Sequence, residues 1–174
     1  DRVDLDLPQE REQLIVDAAS ANDRVIVVLE GGGAITMQDW LADPAAILMV
    51  WYPGQMGGHA IADLLFGDAN PSGKLPFTVP KSLDQLPPFD NVSLEVEYGY
   101  FHGYRYLDLR GGTPEFPFGF GLSYTRFLFR DLKVESKKVQ GNGEVKFSVV
   151  VENQGDRSGS EVVQVYINDL QASV

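Results

Sequence analysis

Residues 51–80 have the sequence WYPGQMGGHAIADLLFGDANPSGKLPFTVP, which combines the end of a strand, a helix and an extended segment. The apolar run at 45–52 predicts a buried strand that ends at Pro53, because proline cannot donate to a strand ladder. A short helix is predicted over 58–66, where apolar residues recur at helical spacing. Gly67 follows this helix and is expected to cap it in the left-handed conformation, since glycine has no Cβ to clash. This order of elements is typical of an α/β layer.

Two further elements precede this stretch. Residues 8–22 have the spacing of an amphipathic helix, and the acidic residues near its start favour the positive end of the helix dipole. The apolar face of this helix is predicted to consist of Leu14, Ile15, Ala18 and Ala19. Residues 25–29 form a continuous apolar run, which is typical of a strand covered on both faces. With the extended run at 74–80, whose prolines suit a sheet edge, residues 1–80 predict part of a doubly wound sheet.

Residues 81–125 form a connector in which glycine, proline and aromatic residues are frequent. Its composition predicts an extended chain with little regular structure, and a connector of this length is usually functional or wraps another element. Its aromatic side chains either stack on sugar rings or pack against a neighbouring part of the protein in place of a core. These residues are Tyr98, Tyr100, Phe101, Tyr104, Tyr106, Phe116, Phe118, Phe120 and Tyr124.

The hydrophobic pattern changes to a period of two from residue 126 onwards. Strands are predicted at 127–134, 144–151 and 161–167, with a loop before the last of them. A β-sandwich of about 100 residues has about seven strands, so residues 126–174 predict an incomplete sandwich. We expect its open edges and apolar faces to be covered by another polypeptide segment.

The overall composition excludes several classes of function. The chain has 174 residues and a formal net charge of −11, which argues against nucleic acid or an anionic membrane as a partner, because phosphate neutralisation needs Lys and Arg. It contains no cysteine, so disulfides, thiol chemistry and cysteine zinc sites are excluded. No apolar run is long enough to cross a bilayer, and the first residues do not resemble a signal or transit peptide.

Two strings within the central stretch carry a resemblance to a known family. Residues 52–63 have the pattern aromatic-Pro-Gly-Gln-x-Gly-Gly-x-Ala-x-Ala-Asp, and residues 67–76 have Gly-Asp-x-Asn-Pro-Ser-Gly-Lys-Leu-Pro. Both are similar to the second domain of glycoside hydrolase family 3, which contains β-glucosidases and related exo-acting enzymes. The strings at 102–108 (HGYRYLD) and 117–125 (PFGFGLSYT) resemble the strap that joins this domain to a fibronectin type III-like domain in the same family.

The resemblance implies a fold in three parts. Residues 1–80 would be part of an (α/β)6 sandwich domain, residues 81–125 the connector strap, and residues 126–174 the N-terminal part of a fibronectin type III-like β-sandwich. It also implies a retaining, exo-acting β-glycosidase, with a β-glucosidase that hydrolyses terminal non-reducing β-D-glucosyl residues as the leading hypothesis. The chain would then be the C-terminal portion of a longer enzyme and inactive alone.

The family's catalytic carboxylates have no counterpart among these residues. Retaining glycosidases use a nucleophile and an acid/base about 5–5.5 Å apart. The resemblance places the aspartate nucleophile on an N-terminal (β/α)8 barrel, and the acid/base glutamate in a Glu-Gly-x-Asp-Arg string. Because the chain begins with Asp1 and Arg2, both carboxylates are expected upstream of residue 1, and no catalytic residue is assigned. Asp1 and Arg2 are then expected beside the acid/base loop, near the tip of the strand that ends at Leu29.

Other carboxylates within the chain have alternative interpretations. Asp4 and Asp6 alternate with apolar residues in the extended segment before the first predicted helix, which we call the lead-in. They are expected on its solvent side. Glu30 ends a predicted strand, where ligands gather in α/β sheets, but a lone glutamate at a strand end is more often a turn or interdomain hydrogen-bond partner than a substrate ligand. Asp63 and Asp68 are interpreted as structural.

The histidines and the strand-end aromatics are also candidates for function. His59 and His102 are too isolated in sequence to predict a metal site, which needs three or four converging ligands. Trp51 and Tyr52 could line a sugar site, but their place at a strand end favours packing.

The implied partners follow from the enzyme hypothesis. They are a β-glucoside or oligosaccharide substrate, and the barrel and sandwich strands of the same protein; no cofactor, metal, nucleic acid or membrane is expected. Two rival hypotheses remain open: a non-catalytic carbohydrate- or protein-binding module, and a purely structural domain pair. Localisation stays open, with a preference for a periplasmic or secreted protein.

Overall fold

The computed structural model describes residues 3–135, 139 and 142–167, so Asp1 and Arg2 lie outside the described residues. Its elements are, in order, helix α1 (Gln9–Ala21), strand β1 (Ile26–Glu30), strand β2 (Ala46–Trp51), helix α2 (Gly57–Phe66), a 3-10 turn (Leu83–Gln85), helix α3 (Tyr104–Arg110), strand β3 (Phe127–Val134) and strand β4 (Phe147–Asn153).

The first part of the chain has the predicted α/β arrangement. β1 and β2 pair in parallel, with Ile26 opposite Ala46, and the register slips between Leu29 and Glu30. α2 ends at Gly67, whose φ of 82° is the left-handed cap conformation that the sequence predicts. The strands and helices predicted between residues 8 and 67 are therefore confirmed.

The prediction that β1 is covered on both faces is wrong for the described residues. Leu29 is buried and Val27 packs beside it, but Ile26 and Val28 on the other face are 46% and 36% exposed. The reason is that β1 and β2 form a two-stranded sheet and the packed core lies on one side of it.

The core of the α/β part forms where the chain folds back after β1. It consists of Leu29, Ile35, Met37 and Trp40, and Trp40 is only 1% exposed. α1 contributes Ile15 and Val16 to this core, whereas Leu14 is 58% exposed. The predicted apolar face of α1 is therefore rotated by about one residue toward Val16.

The extended run at 74–80 does not join the sheet, contrary to the sheet-edge prediction. It pairs instead with the end of the connector: Leu75 N donates to Phe120 O at 2.8 Å, and Val79 N donates to Phe116 O at 2.8 Å. Val79 and Phe116 form an isolated antiparallel bridge. Residues 116–120 therefore pair with the run at 74–80, in place of the sheet edge that the sequence predicts for this run.

The connector contains a helix that its sequence did not predict. α3 spans Tyr104–Arg110, its Leu107 is 3% exposed, and Gly111 caps it with φ 65°. One buried leucine and a glycine cap hold this helix in place, so the prediction of little regular structure is wrong here. The connector's aromatic side chains differ in their exposure and packing. Tyr98 and Tyr100 are more than half exposed, whereas Phe116 and Phe120 pack together with ring centroids 4.9 Å apart.

β3 and β4 pair as an antiparallel ribbon, as the period of two predicts. The ladder is interrupted between Arg130 and Lys133, where Asp131 has φ 56°. Apolar side chains on both strands remain exposed, among them Leu132 at 68% and Phe147 at 44%.

The strand predicted at 161–167 is wrong, because these residues join no ladder in the described part of the chain. They lie against the connector instead: the ring of Tyr166 meets that of Tyr104 at 5.8 Å. A pattern of alternating residues does not make a strand without a partner for its backbone. The residues of the predicted sandwich at 136–138, 140–141 and 168–174 lie outside the described residues.

None of the described helices has both the length and the hydropathy that a membrane crossing requires.

Candidate functional site

An acidic cleft of about 660 Å³ opens at the carboxyl end of β1. The carboxylates of Asp4, Asp6, Glu12 and Glu30 line it together with Gly31 and Ile35. They come from three different places in the fold: the lead-in before α1, the first turn of α1, and the end of β1. The carboxyl ends of strands are where α/β folds place their ligand sites, so this cleft is the candidate functional site.

The lead-in segment is fixed to the sheet edge by Thr36. Its backbone N donates to Leu5 O at 3.0 Å, and its hydroxyl donates to the carboxylate of Asp6. Thr36 is 5% exposed, so both bonds are shielded from water. Asp4 and Asp6 are exposed while Leu5 and Leu7 are half-buried, which confirms the predicted solvent side of the lead-in.

Burial and two nearby carboxylates affect the ionisation of Glu12 in the cleft. Partial burial and the nearby charges of Asp39 and Asp6 raise the pKa of Glu12 above its usual value of 4.5. The Leu7 amide and the Trp40 indole N–H oppose this rise. The indole nitrogen is buried and makes no hydrogen bond of ordinary geometry to any described residue.

We expect Glu12→Gln to stabilise the protein at neutral pH, by about 0.2–1 kcal/mol as for partly exposed charges. Because the folded-state pKa of Glu12 is raised, its ionisation destabilises the folded chain as the pH rises through 4.5, and the loss is complete above the folded-state pKa. The gain should therefore disappear as the pH falls below 4.5, where the carboxyl is protonated in both states. Urea unfolding at pH 4 and pH 7 measures it. Glu10→Gln, an exposed change in the same turn, controls for the helix dipole, and an equal gain there would contradict the cleft's role.

Asp1 and Arg2 lie outside the described residues, so their position beside the tip of β1 stays a prediction. Asp4 follows Arg2 by two residues and shares the cleft with Glu30.

The end of β2 has an unusual backbone beside this edge. Trp51 has φ 56°, a conformation that aromatic residues seldom adopt and that clusters at functional sites. Its ring packs edge-on against Phe77 at 5.2 Å, which confirms packing for Trp51. Tyr52 is 80% exposed, so the packing prediction is wrong there: the turn at Trp51 directs Tyr52 out over Gly32, where a Cβ would come within 2.8 Å of the tyrosine ring.

The remaining candidate residues take no part in the cleft. His59 is exposed in the first turn of α2, and His102 is exposed just before α3. Asp63 and Asp68 are exposed on and after α2. Within the part of the chain that the structure describes, no three His, Asp or Glu side chains converge as metal ligands would.

A second cluster, which sequence reasoning did not find, joins the α/β part to the β3–β4 part. We call it the latch; it consists of Asn70, Lys74, Tyr124, Arg157 and Glu161. A shallow cleft of about 610 Å³ lies beside it. Asn70 and Lys74 belong to the string at 67–76, but nothing local in that string indicates partners some 50–90 residues away.

Asn70 uses both ends of its side-chain amide in the latch. Its oxygen accepts from Ser123 Oγ at 3.0 Å and from Tyr124 N at 2.8 Å, and its nitrogen donates to Ser158 O at 3.0 Å. One side chain therefore joins the loop after α2, the connector and the loop after β4.

Lys74 adds an ion pair that is largely shielded from water. Its ammonium lies 3.0 Å from Glu161 Oε1 and donates to Gly121 O at 2.6 Å, with the Lys74 and Glu161 side chains 13% and 15% exposed. Burial alone would raise the pKa of Glu161, but the hydrogen bond from Lys74, the Val162 amide and the lysine charge together lower it. A Cβ at Gly121 would lie 2.2 Å from Gly73 O, so glycine permits this close approach.

Tyr124 and Arg157 complete the latch on its other side. Tyr124 Oη donates to Leu64 O at 2.7 Å, and the Arg157 guanidinium stacks 5.3 Å from the Tyr124 ring while donating to Gly67 O. The end of α2 is thus tied to the connector and to the loop after β4.

Known proteins resemble this chain in both sequence and architecture. The family model described as the glycosyl hydrolase family 3 C-terminal domain matches residues 1–124, which is more than half of the chain. The chain belongs to this family. The family resemblance of the strings at 52–63 and 67–76 is thereby confirmed.

Curated relatives in family 3 align with the whole chain. The thermostable β-glucosidase B of Acetivibrio thermocellus is 41% identical over 179 residues, covering 100% of this chain and 24% of that protein. A β-glucosidase of Rhizobium radiobacter is 44% identical over 183 residues, covering 100% of this chain and 22% of its own length. The chain therefore spans about a quarter of the length of these relatives.

Solved structures of family 3 enzymes share the fold. β-Glucosidase 3B of Thermotoga neapolitana in complex with glucose superposes with a TM-score of 0.80 at 33% identity, covering 91% of this chain and 23% of that chain. DesR, a β-glucosidase of Streptomyces venezuelae, gives 0.78 at 40% identity over 90% of this chain and 21% of its own. The described fold is thus that of the C-terminal region of family 3 β-glucosidases.

Proposed function

We propose that the chain is the C-terminal portion of a retaining, exo-acting β-glucosidase that hydrolyses terminal non-reducing β-D-glucosyl residues. The observation that carries this proposal is the acidic cleft. The lead-in that follows Asp1 and Arg2 is anchored by Thr36 at the carboxyl end of β1, and its residues Asp4 and Asp6 line the cleft together with Glu30. Asp1 and Arg2 match the last two letters of the family's acid/base string, so the glutamate would precede this cleft directly.

The cleft offers a physical reason for this arrangement. An acid/base residue must hold its proton near neutral pH before it protonates the leaving group, which requires a raised pKa. Burial and neighbouring carboxylates raise the pKa of an acid, and burial, Asp39 and the cleft residue Asp6 do so for Glu12. We infer that Asp4, Asp6 and Glu30 contribute to the same effect on a glutamate held beside Asp1. They act on its proton affinity and not as catalytic groups.

The sugar specificity is proposed from the relatives' names. Both relatives named above are β-glucosidases. A xylan 1,4-β-xylosidase of Xylanibacter ruminicola is also similar, with 39% identity over 98% of this chain and 19% of that protein, so a xylosyl substrate is the alternative that the experiment must separate.

The domain boundaries are part of the same proposal. Residues 1–80 would be the partial (α/β)6 sandwich domain, 81–125 the strap, and 126–174 the start of the fibronectin type III-like domain. The match of the family model ends at residue 124, close to the end of the proposed strap. The latch then lies where the three segments meet.

A chimera tests the proposed function. We would replace the matched region of the Acetivibrio thermocellus enzyme with this chain and compare it with the isolated 174-residue chain, using 4-nitrophenyl β-D-glucoside and β-D-xyloside. We expect no turnover by the isolated chain. The chimera should retain at least about one-hundredth of the parent's kcat/KM for the glucoside, the loss that a misplacement of about 1 Å produces.

Each other outcome corrects a particular part of the proposal. A chimera that melts cooperatively but hydrolyses neither substrate would refute the enzymatic function. Selective xyloside hydrolysis would refute the glucosyl specificity. Turnover by the isolated chain would show that catalytic carboxylates lie within it. Retention of the isolated chain on β-glucan would favour the rival binding module, whose aromatic residues Tyr98 and Tyr100 are exposed.

A further inference from the structure

A stripe of apolar side chains lies open to solvent in the connector. We call Val92, Leu94, Val96, Tyr98 and Tyr100 the apolar stripe. Their exposed fractions are 86%, 103%, 42%, 51% and 58%. In sequence they alternate strictly with Ser93, Glu95, Glu97 and Gly99, the pattern of a strand with one face buried.

The backbone of this segment has no pairing partner. In the part of the chain that the structure describes, no backbone-to-backbone hydrogen bond involves residues 87–102. Residues 95–99 belong to neither helix nor strand. Sequence pattern and structure therefore disagree: the residues of an amphipathic strand are present, and the neighbour that would complete it is not among the described residues.

Each end of the stripe is ordered by a local contact. The Asp90 carboxylate accepts hydrogen bonds from Val92 N at 2.9 Å and from Ser93 N at 3.0 Å. The hydrogen bonds from the Ser93 hydroxyl, the Ser93 amide and the Val92 amide, in this order of size, lower the pKa of Asp90 to about 2. At the other end the guanidinium of Arg105 lies 5.3 Å from the centre of the Tyr100 ring. A segment whose ends are already ordered by such contacts loses less conformational entropy on docking.

We propose that the apolar stripe is a docking strand for the part of the family 3 enzyme that precedes this chain's region, an inference that rests on the proposed function. The curated relatives are about four times longer than the matched region, which fills 24% and 22% of them. The stripe lies inside the segment that the family model matches. A large body of the same enzyme is therefore the occupant available to cover it, with the polar alternate residues left in water.

A second copy of the chain fits the stripe less well. Antiparallel self-pairing centred on Val96 would place Glu95 of one copy opposite Glu97 of the other, and like charges directly opposite each other destabilise a ladder. The net charge of −11 adds repulsion between two copies.

Hydrogen–deuterium exchange of the isolated chain and of the chimera tests this inference. In the isolated chain, peptides covering residues 92–100 should exchange rapidly at every protein concentration. In the chimera their exchange should slow by about tenfold or more, the mark of backbone drawn into a protected unit. The chimera with Leu94→Ser and Val96→Ser should lose this protection, whereas the matched polar-face variant with Glu95→Ser and Glu97→Ser should keep it.

The outcomes separate this inference from the proposed function. An active chimera whose residues 92–100 exchange as fast as in the isolated chain would overturn the docking strand and leave the enzymatic proposal standing. An inactive chimera with protected residues 92–100 would overturn the enzymatic proposal and leave the docking strand standing. Protection that grows with concentration in the isolated chain would assign the stripe to a second copy and overturn the inference. Equal loss of protection in the two double variants would overturn the one-sided docking.

Discussion

Replacing Trp40 with alanine should lower the free energy of unfolding by about 3–5 kcal/mol, the usual result of truncating a fully buried aromatic residue. Trp40 is 1% exposed and packs with Leu29, Ile35 and Met37 in the core beneath β1. These residues hold the fold-back after β1 that carries Thr36, the anchor of the lead-in. Since small domains are stable by only about 5–15 kcal/mol, the variant should lose a large part of its free energy of unfolding.

Urea unfolding followed by circular dichroism measures this effect without depending on tryptophan fluorescence. Trp40→Phe should lose much less than Trp40→Ala, because it keeps most of the buried apolar volume and removes an indole N–H that lacks a hydrogen bond. Tyr52→Ala is the matched control, since an aromatic side chain that is 80% exposed should change stability by less than about 0.5 kcal/mol. A Trp40→Ala variant as stable as Tyr52→Ala would contradict the core described above.

The elements that the sequence predicts correctly are those whose signals are local. The β-branched run of β1 and the helix that ends at Gly67 can be recognised within their own residues. The segment at 161–167 has an equally good strand pattern but forms no strand, because a ladder also requires a neighbour with free backbone groups. α3 escapes prediction for the opposite reason: seven residues with no clear period are held helical by the burial of Leu107.

For the candidate site, too, only features with a local sequence signal could be predicted. The alternation around Asp4 and Asp6 predicts their exposure, but it does not reveal that α1 brings Glu12 into the same cleft. The string at 67–76 identifies the family, yet the contact of Lys74 with Glu161 spans 87 residues. Contacts at such separation depend on how complete elements pack, so spacing within a motif carries no information about them.

The latch provides the second large expected effect. Lys74→Met would leave Glu161 with 15% of its side chain exposed and no cation beside it. Removing one partner of a shielded pair usually destabilises more than the pair itself stabilised, because the remaining charge stays desolvated. We expect a loss of about 1–3 kcal/mol at pH 7, below the value for fully buried pairs because some solvent reaches both groups. The exposed pair of Arg130 and Glu152 is the control, and Arg130→Met should lose less than about 1 kcal/mol.

A double-mutant cycle with pH as a variable distinguishes the latch from simple packing. Because the folded-state pKa of Glu161 is lowered, the stability that its ionisation contributes is complete above its ordinary value of 4.5 and is lost as the pH falls through the lowered pKa. The loss in Lys74→Met should therefore shrink at acid pH. Adding Glu161→Leu to Lys74→Met should restore part of the stability at pH 7, because no unpaired carboxylate then remains. Strictly additive losses, unchanged between pH 7 and pH 3, would mean that Lys74 and Glu161 are neighbours without coupling. Coupling that disappears at acid pH would show that the ion pair contributes to holding the β3–β4 part against the α/β part, beside the hydrogen bonds of Asn70 and Tyr124.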